Sequence, residues 1–200
     1  MKNALSWSAK SAPDDYLIAL GAVTLRFNSL EWHHLLLHQI ISRDPPGITK
    51  FRFSKLDNSM RLQILKSLAK ECGVGPTGMG LIEGFCSGYD ACAHNRNVLS
   101  HARIADFTPV ALGDALRATK PNKKGEELTF VFSTPIVQRV ADEIDNWKGF
   151  TRLLAAWLLD QTNGSRALPL PDIPPVPLRM EGSQHKDPTK PAFPPVPWTQ

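Results

Sequence analysis

Apolar residues recur at helical spacing in four stretches of this chain, and each stretch predicts an amphipathic helix. We expect the first helix from about Tyr16 to Ile41, the second from about Asp57 to Cys72 and the third from about Met79 to Ser100. The last begins at Thr134, an N-cap residue that a proline follows, and ends at about Asn163.

The apolar period shortens to two between the third and the last of these helices, which predicts β-strands. The alternation is clearest over Leu128–Phe132, and residues 102–107 and 111–119 are candidate partner strands. The sequence therefore predicts a mainly α fold. We expect an up-and-down helical bundle with a small antiparallel β insert at about residues 102–133.

Prolines mark the main boundary in the chain. Ten of the 17 prolines follow Asn163, and few residues in that region are able to build a core. We expect a flexible N-terminus over residues 1–13, a helical domain over 14–163 and a disordered, proline-rich tail over 164–200.

Two similar proline-rich pieces recur in this tail, I-P-P-V-P at residues 173–177 and F-P-P-V-P at residues 193–197. The first continues to Arg179 and so satisfies P-x-x-P-x-R, a pattern of SH3-type ligands. Because such patterns arise freely in proline-rich sequence, a plain solvated tail is the simpler interpretation.

Composition and charge narrow the class of protein. An apolar fraction of 42% and a charged fraction of 21% are ordinary for a globular chain. Lys and Arg total 23 against 19 Asp and Glu, a bias that permits nucleic acid as a partner without requiring it. The sequence has no signal-peptide pattern, no apolar run of about eighteen residues and no C-x-x-C pair. We therefore expect a cytoplasmic protein with no membrane partner.

Neither a cofactor nor a metal site is predicted. Residues 73–78 match G-x-G-x-x-G, but a helix precedes them where a dinucleotide site needs a strand, so we interpret them as a connector. His33, His34 and His38 crowd the first helix without an H-E-x-x-H pattern. The cysteines and His94 lack the spacing of a structural zinc site. These side chains are interpreted as packing or surface residues.

Residues 43–70 form a basic segment in which Phe51 and Phe53 are interleaved with cations. Lysines and arginines neutralise phosphates, and aromatic rings stack on unpaired bases. The candidate RNA-binding residues are Arg43, Lys50, Arg52, Lys55 and Arg61. The alternative is a solvated helix face with phenylalanines in the core.

The end of the third predicted helix, R-N-V-L-S-H at residues 96–101, carries the chemistry that best points to a function. RNA is cut without a metal when its 2′-hydroxyl attacks the adjacent phosphate. That reaction needs a group that exchanges protons near neutral pH, which His101 offers, and a fixed cation for the phosphate, which Arg96 offers. Asn97 is able to orient either of them. The alternative is that both cations merely stabilise the helix C-terminus.

This R-N-x-x-x-H stretch, placed at the end of a long helix in a helical chain, resembles the motif of the HEPN domain family. The resemblance implies a helical bundle that is usually dimeric, with two motifs meeting across the two-fold axis. Many members are metal-independent endoribonucleases of toxin–antitoxin, abortive-infection or CRISPR systems. Others are non-catalytic binding modules. The predicted β insert departs from the all-helical family core.

By this resemblance Arg96 and His101 are the catalytic residues and Asn97 is the polar accessory residue. It also implies a homodimer, RNA as the substrate, and an antitoxin or another protein as a partner. Glu31 lies mid-helix among apolar neighbours, and if buried it needs a cation such as Arg96 or His101. An exposed Glu31 is the alternative.

Overall fold

The computed structural model describes residues 14–110, 113–122 and 124–182. The predictions for residues 1–13 and 183–200 lie outside these ranges. In the described part the helices are α1 (Asp14–Ser42), α2 (Pro46–Ser54), α3 (Asn58–Glu71), α4 (Pro76–His101) and α5 (Thr134–Thr162). The strands are β1 (Arg103–Val110), β2 (Gly113–Pro121) and β3 (Glu127–Ser133). The mainly helical fold with a small antiparallel sheet is therefore confirmed.

Proline and short polar residues set the helix boundaries. The Asp57 side chain caps α3 by accepting a 2.8 Å hydrogen bond from the backbone N–H of Met60. Pro76 opens α4 three residues earlier than predicted, because a proline in the first helical turn gives up no hydrogen bond. At α5 the cap position is Ser133, one residue before the Thr134 that we expected.

Helix α2 is absent from the prediction. Pro45 and Pro46 do end α1, but Pro46 also begins a new helix of nine residues. Its one buried apolar residue is Phe53. The centroid of the Phe53 ring lies 5.1 Å from that of His34 on α1. A single anchor gives no visible periodicity in nine residues, so the sequence pattern shows only a basic segment there.

The sheet is a three-stranded antiparallel meander in the order β1-β2-β3. Ala118 in the central strand pairs with Ile104 on one side and with Phe130 on the other. Ala118, Phe130 and Phe132 are buried and join the helical core, so one face of the sheet packs on the helices. This pattern explains the period-two alternation of the sequence.

The long helices do not follow the predicted up-and-down order. The start of α3 lies beside Glu31, because Arg61 pairs with that carboxylate, and the end of α3 lies beside Ile41, with which Cys72 lines a shared pocket. Helices α1 and α3 therefore run in the same direction, since α2 returns the chain between them. The up-and-down prediction is wrong for this pair of helices.

The first half of the predicted disordered tail is packed on the domain. We call residues 171–182 the strap; it has no helix or strand and follows α4 from Gly84 to Asn95. Pro171, Pro177 and Met180 are buried, although the segment has no apolar period that would reveal a core contact. The tail prediction is therefore corrected for the strap. Across the described ranges, no helix has the length and apolar character needed to cross a membrane.

Candidate functional site at the end of α4

Arg96 points from α4 toward α1 and is half-buried. Its guanidinium carbon lies 5.2 Å from the centroid of the Phe27 ring, within the range of a cation–π contact. Its Nη1 donates a 3.0 Å hydrogen bond to Asn97 Oδ1. Its Nε is buried and has no hydrogen-bond partner among the described residues. The Arg96 guanidinium is thus held in place by Phe27 and Asn97, while its buried Nε donor is unpaired among the described residues.

Asn97 links Arg96 to the sheet. Its side-chain oxygen accepts from Arg96, and its backbone oxygen accepts a 3.2 Å hydrogen bond from Lys120 Nζ on β2. Burial lowers the pKa of Lys120. The accessory residue of the motif is therefore part of a short chain of polar contacts that holds two cationic side chains together.

His101 is the last residue of α4 and is exposed. Neither of its ring nitrogens has a hydrogen-bond partner within the described part of the chain. Five helical residues correspond to a rotation of about 140° and a rise of about 7.5 Å, so His101 and Arg96 leave α4 in different directions. One copy of the chain places both residues on the same helix end but does not bring their side chains together.

Glu31 pairs with Arg61 of α3 and with neither of the two partners that we expected. Arg61 also donates from Nε to the backbone oxygen of Phe53 at 2.9 Å, and its guanidinium carbon lies 4.0 Å from the centroid of that ring. Arg61 is thus engaged inside the protein, and its part in RNA binding stays a prediction. Glu31 pairs with Arg61 because α3 packs against α1 at this point, and the sequence pattern does not reveal which helices pack together.

Tyr89 connects the Arg61 pair to the surroundings of Arg96. Its hydroxyl donates a 3.4 Å hydrogen bond to Asn58 Oδ1, which also accepts from Arg61. Its ring centroid lies 5.6 Å from that of Phe27, the ring under Arg96. Burial, followed by the nearby Glu31 carboxylate, raises the pKa of Tyr89. The sequence gives no sign that Tyr89 belongs to this cluster, because its contacts reach residues on other helices.

The predicted packing histidines are deeply buried beside this cluster. The His34 ring centroid lies 4.5 Å from that of Tyr89 and 5.1 Å from that of His38. Both nitrogens of His34 and Nε2 of His38 lack a hydrogen-bond partner among the described residues. Burial lowers the pKa of His34 well below its usual range, and it lowers the pKa of His38 to about 4. Both imidazoles are neutral at physiological pH.

Four of the five predicted RNA-binding cations are exposed: Arg43, Lys50, Arg52 and Lys55. The interleaved aromatics separate, since Phe53 is buried and Phe51 is 65% exposed. Lys55 Nζ lies 5.6 Å from the centroid of the Phe51 ring. Arg52 forms a 2.7 Å ion pair with Asp44. The surface around α2 thus combines an exposed ring with several cations.

A polar groove of about 350 Å³ runs between α1 and α5. His33 lines it and donates from Nδ1 to the Ser29 backbone oxygen at 2.7 Å. Lys148, which is paired with Asp145, and Arg152 line the opposite wall. This groove contains none of the residues of the R-N-x-x-x-H motif.

Among the described residues, no group of three or more His, Cys, Asp or Glu side chains is arranged to hold a metal ion. Cys86 and Cys92 are buried thiols whose pKa burial raises to about 12. Gly73 has a positive φ of 74° after the end of α3, as a glycine in a helix-ending turn does. The glycine-rich stretch therefore joins two helices, as expected.

Comparison with known proteins adds no relative: no protein-family model, no curated protein and no solved structure matches this chain. The resemblance to HEPN domains consequently depends on the R-N-x-x-x-H stretch and its place at the end of a long helix.

Proposed function

We propose that this chain is a HEPN-like, metal-independent endoribonuclease of the cytoplasm that acts as a homodimer. The observation that carries the proposal is the state of His101, an exposed imidazole with no protein partner in the described ranges, on the same helix end as Arg96. A histidine that served only the fold would be expected to pack or to bond with its neighbours. An exposed, unengaged imidazole on the same helix end as a held cation suits general acid–base catalysis on a phosphate.

Each residue has a defined role in this reaction. His101 accepts the proton of the ribose 2′-hydroxyl while the 2′-oxygen attacks the adjacent phosphorus. Arg96, whose side chain is only half-buried, uses its guanidinium to bind the phosphate oxygen on which charge develops. A protonated imidazole then gives its proton to the departing 5′-oxygen. The products are a 2′,3′-cyclic phosphate and a 5′-hydroxyl, so the chemistry balances without water or a metal ion.

Two copies of the motif solve the geometric difficulty of a single copy. Arg96 and His101 diverge by about 140° on one helix, so they cannot both reach one phosphate with ease. If the C-terminal ends of α4 meet across a two-fold axis, His101 of one copy faces the Arg96–Asn97 pair of the other. Such a composite site also supplies two imidazoles, one to accept a proton and one to donate it.

The surface around α2 is a second contact for RNA in this proposal. Phe51 would stack on an unpaired base, and Arg43, Lys50, Arg52 and Lys55 would neutralise the backbone. His34, which packs against Phe53 of α2, and Phe27, which lies beneath Arg96, are seven residues apart on α1, so the two regions are offset by about 10 Å along the axis of that helix. A single strand of a few nucleotides spans that distance. An antitoxin protein that covers either surface would silence the enzyme.

The test is cleavage of total RNA in excess EDTA by the wild type and by His101→Ala. We expect the variant to lose at least about 100-fold in rate, the usual contribution of a general acid–base group. His101 is exposed, so its removal leaves the fold intact. The matched control is His33→Ala, which removes an imidazole at the α1–α5 groove and should cleave at the wild-type rate. The cleaved ends should carry cyclic phosphate.

Arg96→Lys and Asn97→Ala extend this test to the rest of the motif. Arg96→Lys keeps the charge but loses the forked donor geometry, and we expect it to lose about 100-fold. Asn97→Ala releases the Arg96 side chain and should cost about tenfold. Equal activity in the wild type and His101→Ala would show that the cleavage does not come from this motif.

A non-catalytic binding module is the second candidate function, and the half-burial of Arg96 favours it. The Arg96 side chain already has a cation–π contact with Phe27 and a hydrogen bond with Asn97, which a purely structural residue would also have. Absence of cleavage by folded wild-type protein, together with retained binding of a single-stranded RNA at the surface around α2, would support this alternative.

A further inference from the structure

The backbone of the strap forms three hydrogen bonds with side chains of α4. Asn95 is 1% exposed, and its side chain donates to the Leu178 backbone oxygen at 2.9 Å and accepts from the Met180 backbone N–H at 2.8 Å. The neighbouring His94 donates from Nε2 to the Met180 backbone oxygen at 2.9 Å. These three hydrogen bonds recognise an extended chain and do not depend on which side chains it carries.

Small residues make room for the apolar side chains of the strap. A Cβ atom on Gly84 would lie 2.9 Å from Cδ1 of Ile173, so a larger residue there would displace the end of this side chain. Pro177 is buried four residues later. The surface of α4 from Gly84 to Asn95 therefore forms a groove for an extended segment. That segment carries an apolar residue, two prolines and a valine, followed by the proline that is buried.

The sequence contains that pattern twice, twenty residues apart. Ile173-Pro-Pro-Val-Pro-Leu178 is followed by Phe193-Pro-Pro-Val-Pro-Trp198. In an alignment shifted by twenty residues, Phe193 corresponds to Ile173 and Trp198 corresponds to Leu178, which is exposed and leaves space for a larger side chain. The three hydrogen bonds of Asn95 and His94 join the backbone of the strap, so a second segment with other side chains would be able to form them too.

Two contacts belong to the first piece alone. Arg179 forms an ion pair with Asp90, and the second piece has Thr199 at that place. Met180 is buried in the core, and the second piece has Gln200 there. The first piece is therefore the better ligand, and its tether from the end of α5 is also shorter, about 10 residues against about 30.

We propose that the groove on α4 is a binding site for extended proline-rich segments, and that residues 193–200 of the same chain are its second occupant, in exchange with residues 173–180. A tether of about 30 residues from Asn163 exceeds any dimension of a domain of this size, so the second piece reaches the groove once the first has left. His94 and Asn95 directly precede Arg96. The exchange therefore takes place beside the motif, although it does not depend on what the motif does.

Disulfide trapping in the full-length chain tests the exchange. Cys72, the exposed cysteine, is first replaced by serine, while Cys86 and Cys92 are buried and stay. In this background Asp90→Cys is combined with Arg179→Cys to report the first occupant, or with Thr199→Cys to report the second. The matched control is Asp90→Cys with Thr189→Cys, which places a thiol on the same tail just before the second piece.

We expect Arg179→Cys to form its bond almost completely and Thr199→Cys to form it several-fold faster than Thr189→Cys. Met180→Asp, which weakens the first occupant, should raise the rate for Thr199→Cys at least fivefold and leave Thr189→Cys unchanged. Ile173→Asp should act in the same way, and since Ile173 is about half exposed it is the safer variant for folding. Phe193→Asp should return the rate to that of the control.

Three results would overturn the proposal. The Thr199→Cys bond could form no faster than the Thr189→Cys bond when the first occupant is weakened. Its rate could be insensitive to Phe193→Asp, which would show that the second piece does not dock over Gly84. The bonds could join two chains, visible as dimers on a non-reducing gel, which would assign the groove to the tail of a second copy.

Discussion

Arg61 shows how one side chain can satisfy several neighbours at once. It pairs with Glu31, donates to the backbone of Phe53 and stacks on the ring of that residue. Its side chain is 13% exposed, so little water replaces these contacts when they are lost. The cation therefore holds α1, α2 and α3 together at one point.

We expect Arg61→Ala to lower the free energy of unfolding by about 2 kcal/mol, since it leaves the partly buried Glu31 carboxylate unpaired and removes the packing on Phe53. Urea unfolding followed by circular dichroism measures this change. The matched control is Arg52→Ala, whose ion pair with Asp44 is exposed and should contribute less than about 0.5 kcal/mol. Equal effects of the two variants would mean that Arg61 is only a surface cation.

Helices α4 and α5 pack closely where Gly88 faces Trp147. A Cβ atom on Gly88 would lie 2.2 Å from two carbons of the indole ring, and Trp147 is 1% exposed and unable to move aside. The glycine at this position lets a large ring fill the space between two helices. Helix propensity alone would favour alanine there.

We expect Gly88→Ala to destabilise the protein by about 2 kcal/mol or more, because the added methyl group forces the indole or the helix to shift. Gly80→Ala, in the same helix but with nothing within 4 Å of the added atom, should stabilise it by up to about 1 kcal/mol. Thermal unfolding of both variants measures the difference. A gain in stability for Gly88→Ala would contradict the close packing of α4 on α5.

The stability of the folded chain depends on pH through its buried histidines. In the unfolded chain His34 and His38 take up protons as the pH falls through about 6.5. The folded chain does not, because burial lowers the pKa of His38 to about 4 and that of His34 well below its usual range. The unfolded state therefore binds more protons between these values, and stability falls as the pH is lowered.

We expect the urea midpoint to decrease steadily from pH 7 to pH 4, with His38 alone accounting for about 3 kcal/mol over the full range. His38→Leu should flatten this dependence. It should change stability little at pH 7, since the lost imidazole has an unpaired buried Nε2. A slope that is as steep in His38→Leu as in the wild type would show that other groups cause it.

Local patterns in the sequence were sufficient to predict four of the five helices in the described ranges and the small sheet. They also predicted that Arg96, Asn97 and His101 lie at a helix end. Periodicity reports which side of an element is buried, and caps report where it begins, because both depend on residues within a few positions of one another. Helix α2 has one buried apolar residue, Phe53, and so leaves no apolar period to detect.

The features that the sequence did not predict depend on contacts between residues that are far apart in the chain. The partner of Glu31, the parallel run of α1 and α3 and the docking of the strap each join residues 30 or more positions apart. A hydrophobic period does not say which surface a buried face meets, and an extended strap bound through its backbone has no period at all. Its hydrogen bonds with Asn95 join residues more than 80 positions apart, so they depend on tertiary packing and not on local sequence.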